Sequence, residues 1–155
     1  MKRSNNKRLF HWGVLSFMTL LVIYGQSLLS RTDSGNASSF VVTWLKPFLD
    51  PRELWTEDVF HHFVRKAGHF TEYACFGFFF GRFSMLLGQL RGVRYVSMPL
   101  FVALIVAVSD EYLQYFTGRG SAVTDVVLDF AGAMFGFFVI DLLHIRRDSH
   151  ETGLQ

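Results

Sequence analysis

The apolar residues of this chain are gathered into long blocks separated by short polar stretches. Leu9 follows a basic opening of Lys2, Arg3, Lys7 and Arg8 and begins an apolar run over residues 9–29. Further runs cover residues 66–87, 97–116 and 122–145. Each approaches the ~20 residues that carry an α-helix across a hydrocarbon core of ~30 Å. The pattern predicts an all-α, polytopic membrane protein: a bundle of four transmembrane helices over residues 9–145. A basic N-terminus (1–8) precedes it and a polar tail (146–155) follows. The first run resembles a signal peptide but is longer than the ~7–15 residues of an h-region, and no clear A-x-A cleavage site follows. It reads as a retained helix.

The longest polar segment, residues 30–65, is expected to be an extracytoplasmic loop, opened by the turn formers Arg31-Thr32-Asp33-Ser34-Gly35-Asn36. Trp44, Phe48 and Trp55 in its second half are residues that favour the membrane interface. Connections containing Arg91 and Arg94, and then Thr117-Gly118-Arg119-Gly120-Ser121, link the later helices.

Composition agrees with the blocks. Of 155 residues, 50% are hydrophobic, 18 are Phe and only 18% are charged, below the quarter usual in soluble domains. The net charge of +2, without a basic face or zinc-finger spacing, argues against nucleic acid. The single Cys75 excludes an internal disulfide and reads as a small buried residue. Lys and Arg counts set the expected orientation. With the N-terminus inside, Lys2, Arg3, Lys7, Arg8, Arg82, Arg91, Arg94, Arg146 and Arg147 are cytoplasmic. Arg31, Lys46, Arg52, Arg65, Lys66 and Arg119 lie on the other side.

The spans nevertheless keep ionisable side chains, each costing ~2.5–3.5 kcal/mol near a bilayer centre. His69, Glu72 and Tyr73 follow i, i+3, i+4 spacing on one face of the second span. Asp110 and Gln114 share a face of the third, with Glu111 turned about 100° away. Asp125 and Asp129 are one turn apart in the fourth. The second span begins on the side where the third ends and the fourth begins. At ~1.5 Å per residue, all three sets therefore lie within roughly ten ångströms of depth on one side. Arg65 and Lys66 stand at the entrance of the second span, and Arg119 in the turn beside them.

Two chemistries fit. The carboxylates pin helices by pairing with Arg119, Lys66 and His69, or they build a site. In the site reading, His69, Glu72, Asp110, Glu111 and Asp125 are the candidate catalytic groups. Arg65, Lys66, Tyr73, Gln114, Arg119 and Asp129 are the candidate ligand-binding groups. Guanidinium and ammonium groups suit a phosphate, and carboxylates suit a hard divalent cation such as magnesium that bridges to it. His69 is then a general acid or base, oriented by Glu72 or another carboxylate. Metalloprotease spacing is absent, since His69-Phe70-Thr71-Glu72 is not H-E-x-x-H. Gly77 with Gly81, and Gly132 with Gly136, form G-x-x-x-G pairs that predict close packing of spans two and four. Arg82 and Asp141 form a candidate structural pair at the opposite side.

Arg65-Lys66-x-x-His69-Phe70-x-Glu72-Tyr73, then Asp110-Glu111-x-x-Gln114-x-Phe116, Arg119, Asp125, Gly132 and Gly136 together resemble the VanZ-like family of small bacterial membrane proteins, over residues 60–140. Many members carry Pro before the arginine of the turn, where this chain has Thr117-Gly118, and Asn where it has Asp129. The founding member is associated with teicoplanin resistance. The resemblance implies a cell-envelope protein and brings no settled biochemical activity; in that setting the phosphate-binding reading of the site points to a membrane lipid or lipid-linked wall precursor. Non-catalytic binding of a lipid, antibiotic or partner, and ion-coupled transport, are the alternatives.

Overall fold

A computed structural model describes residues 2–28, 31–118 and 122–152. Among these, the chain is all-helical: α1 (Lys2–Ser27), α2 (Arg31–Leu49), α3 (Glu57–Arg91), α4 (Ser97–Phe116) and α5 (Val123–Thr152). The four apolar runs correspond to α1, α3, α4 and α5. Among the described residues, three helices are long and apolar enough to cross a membrane: Asn5–Ser27, Ser97–Phe116 and Val123–Ile145, with mean hydropathies of 1.4, 1.2 and 2.1. Polar groups within α3 keep it out of that set.

The segment expected to be a loop is different. It contains α2 and the first turns of α3, which starts at Glu57 rather than Lys66. Thr, Asp and Ser are common at helix starts as well as in turns, so this composition does not separate the two. A real turn follows α2. There the buried Asp50 carboxylate accepts the backbone N–H groups of Leu54 and Trp55, both at 2.9 Å. Thr56 then holds an extended N-cap conformation, with Glu57 and Asp58 in the first turn of α3, where acidic groups complement the helix dipole. Gly92 ends α3 in the left-handed region (φ 67°), its N–H returning to the Gly88 carbonyl, a glycine C-cap. At ~1.5 Å per residue, the 35 residues of α3 span about 52 Å. The basic N-terminal residues likewise belong to α1, and the tail continues α5 through Thr152.

α3 is the central helix, packed most extensively on α5 and then on α1; α4 closes against α5. Glycines make the α3–α5 approach. A Cβ at Gly77 would run into the Ala133 carbonyl, one at Gly136 into the Ala74 carbonyl, and one at Gly132 would stand 2.5 Å from the Phe70 carbonyl oxygen. Backbone meets backbone, as small-residue motifs permit. Ile23, Tyr73, Phe76, Ala103, Val106, Ala107 and Ala133 form the core.

The outside is as apolar as the inside. Phe101, Ile105, Val108, Phe135 and Phe138 are all exposed, and only 11%, 39% and 33% of the three apolar spans are buried. Meanwhile Asp110 and Asp129 are 0% exposed. A soluble protein does not expose such an apolar surface, whereas a lipid-facing bundle does so by necessity. Cys75, expected inside, lies on this outer surface, because it points away from the glycine-lined contact with α5.

Candidate functional site

Helix periodicity brings the polar residues together where α1 and α4 end and α5 begins. Asp110 on α4 lies at the centre. Ser27, at the end of α1, donates to one oxygen of its carboxylate, and Gln114, one turn along α4, donates to the other at 3.1 Å. Asp110 is thus fixed by two donors from two helices, both buried. Asp129 on α5 faces the same space, but among the described residues neither of its oxygens has a hydrogen-bond partner. The nearest basic group among those residues is His69 of α3, whose Nδ1 stands 3.7 Å from Oδ1. The Tyr73 hydroxyl, one turn from His69, is buried and directed toward Asp110.

One imidazole nitrogen from His69 and one oxygen each from Asp110 and Asp129 lie within 4.8 Å of one another. These residues come from three helices, so tertiary packing rather than local spacing makes the cluster.

Around it stand the other acids. Glu111 turns from the cluster to the start of α5, where Oε2 accepts the Ala122 N–H at 3.1 Å; this serves a helix terminus that has no partner of its own. Its other oxygen is buried without a hydrogen-bond partner. Asp125, one turn above Asp129, is ion-paired with Lys66 of α3. Thr124 also donates to it at 3.2 Å. Lys66, Asp125, Arg65 and His62 line an open depression between α3 and α5, together with Ala122, Thr124 and Leu128.

Of the residues singled out in the sequence, the structure gathers His69, Tyr73, Asp110, Gln114 and Asp129 into the buried cluster. Lys66, Asp125 and Arg65 form its rim, and Glu111 bridges to α5. Glu72 departs from this group: it turns to α1 and accepts from Gln26 at 2.6 Å, so the carboxylate beside His69 is Asp129 instead. Arg119 lies outside the described residues. Asp141, expected to pair with Arg82, takes Arg94 at 3.4 Å.

Sequence reasoning missed the contribution of α1. Besides Ser27 and Gln26, Tyr24 meets Ser109 of α4 at 2.6 Å, and Thr117 donates to the Ser27 carbonyl at 3.1 Å. The signal was present: Tyr24, Gln26 and Ser27 are polar groups at the end of an apolar run that finishes on the same side as the cluster.

No curated protein and no solved structure matches the chain at a significant level. The VanZ/LLP1 family model matches residues 12–144, from α1 through α5 and including every described residue of the cluster. With three apolar spans, a lipid-facing exterior and this match, the chain belongs to the VanZ/LLP1 family of membrane proteins.

Proposed function

We propose that the chain crosses the membrane four times, α3 being the fourth span, with both termini cytoplasmic. It binds a phosphate-bearing lipid or lipid-linked wall precursor on the outer side. The observation that carries this reading is the depression beside the buried cluster. Arg65, Lys66 and His62 line its α3 wall, and His69, Asp110 and Asp129 lie about one helical turn deeper. A lipid headgroup reaches such a place sideways from the leaflet, its phosphate meeting the cations at the rim. α3 tolerates His69 and Tyr73 because they face protein rather than lipid, the arrangement expected of intramembrane ionisable residues.

α2 supports the same reading. Trp44, Phe48 and Leu49 on this helix are exposed, as is Leu54 just after it, and Trp55 packs against Phe63 at 5.3 Å. These residues suit a helix lying in the interface beside the depression. His69, with Asp129 as its acidic neighbour, is the group placed for proton transfer to a bound headgroup. Sequestering or altering a wall precursor would change the access of glycopeptides such as teicoplanin to their target.

Native mass spectrometry with lipid analysis tests this on protein extracted from its membrane, comparing wild type with an Arg65→Ala, Lys66→Gln double variant. The expected result is a phosphate-bearing lipid retained by the wild type and lost from the variant. Equal retention by both proteins, or none by either, counts against a lipid site here.

A further inference from the structure

We infer that His69, Asp110 and Asp129 bind a divalent first-row transition-metal ion. This rests on the reading of the cluster as a ligand site and deepens it by naming what meets the ligand's phosphate.

Asp129 is 0% exposed, and among the described residues neither carboxylate oxygen has a hydrogen-bond partner. An ionised carboxylate taken out of water without partners is costly. Asp110 and Glu111, both buried, add further acidic groups around it. The ammonium of Lys66 is already engaged by Asp125. Among the described residues the space therefore holds two carboxylates beside the neutral Tyr73 hydroxyl, with the imidazole of His69 3.7 Å from Asp129. A cation at its centre turns that repulsion into coordination.

Geometry permits this. Two ligands of one ion, each at ~2.1 Å from it, are at most about 4.2 Å apart. The three ligand atoms here lie within 4.8 Å of one another, so small side-chain adjustments are enough to close around an ion. Asp110 also carries the outer shell that metal-binding carboxylates have, since Ser27 and Gln114 orient its two oxygens.

The ligand types select the metal. All-oxygen sites suit magnesium or calcium. One imidazole with two carboxylates suits manganese, iron or zinc, and leaves coordination positions for water or a phosphate oxygen. The preference thus moves away from the magnesium suggested by the carboxylates alone.

Manganese(II) alone is the probe. Full-length protein in detergent, stripped with a chelator and given no lipid, is titrated with Mn²⁺ while the free-ion electron paramagnetic resonance signal is followed. The expected result is saturable binding of one ion per chain. Affinity falls at least tenfold in Asp129→Asn and in His69→Ala, and is unchanged in Asp141→Asn at the far end of α5. Pulsed resonance on the bound ion in the unmodified protein reads the imidazole directly through nitrogen coupling, so the test does not depend on any variant folding.

No saturable binding, or bound Mn²⁺ without nitrogen coupling, overturns the inference; so does wild-type affinity in a folded Asp129→Asn. The outcomes separate from those of the lipid reading. Lipid retained by a protein that binds no Mn²⁺ removes the metal and leaves the lipid. Mn²⁺ bound by a protein that retains no phosphate lipid supports the metal and removes the lipid.

Discussion

α3 and α5 run side by side, and each carries polar groups at both ends, but the two ends treat them differently. At the end near Gly92, Arg94 reaches both oxygens of Asp141 at 3.4 Å, and Gln89 meets His144 at 2.8 Å, all in exposed settings. At the other end Asp129 is enclosed, with lone pairs that no donor among the described residues fills. The far end shows how this protein ties the α3–α4 connection to α5 with charge: it matches acid with base and leaves both partly exposed. Among the described residues, the near end buries acid in excess of base. Such an arrangement weakens a fold compared with apolar packing of the same volume, and it makes sense as a site held ready for a positively charged or hydrogen-bonding ligand.

Both ends depend on the same α3–α5 contact. Gly136→Ala places a methyl group against the Ala74 carbonyl, where backbone on both sides leaves little room to yield. We expect a loss of about 1–3 kcal/mol, measured by thermal unfolding in detergent. Both ends should loosen together, because one interface carries them.

A smaller effect is expected at the rim. Lys66→Ala leaves Asp125 without its ion pair. The side chains are 25% and 20% exposed, so the cost falls between that of a buried pair and that of a surface pair, about 1–2 kcal/mol. Comparing the melting temperatures of Lys66→Ala and Lys66→Arg separates lost charge from lost packing.

The smallest effect belongs to the far end. Arg94 is 73% exposed, and such ion pairs contribute little. Asp141→Asn should change stability by no more than about 0.5 kcal/mol. A large loss there would erase the contrast between the two ends.

Much of this arrangement is legible in the sequence because it depends on periodicity. Spacing alone puts His69 and Tyr73 on one face, Asp110 over Gln114, and Asp125 over Asp129, and the alternating direction of the spans brings these faces to one depth. The G-x-x-x-G pairs correctly foretell the α3–α5 contact. What spacing does not carry is the choice between neighbours. Glu72 satisfies the same i, i+3 rule as Tyr73 satisfies i, i+4, yet it turns to Gln26, since α1 and α5 flank α3 on different sides. Glu111 goes to the Ala122 N–H because α5 starts beside it, a long-range fact. α2 escapes sequence reading for another reason: its first residues serve turns and helix starts alike, and helix propensity over so short and mixed a segment decides little.

Whether Asp129 is held for a ligand or for the fold is decided by the melting temperature of Asp129→Asn against wild type, both stripped of metal and lipid. Asn keeps the shape and removes the unpaired charge, so the account predicts a variant at least as stable as wild type. A loss near the ~3 kcal/mol that breaking a buried ion pair costs would contradict it, and would make Asp129 with His69 a pin between α5 and α3.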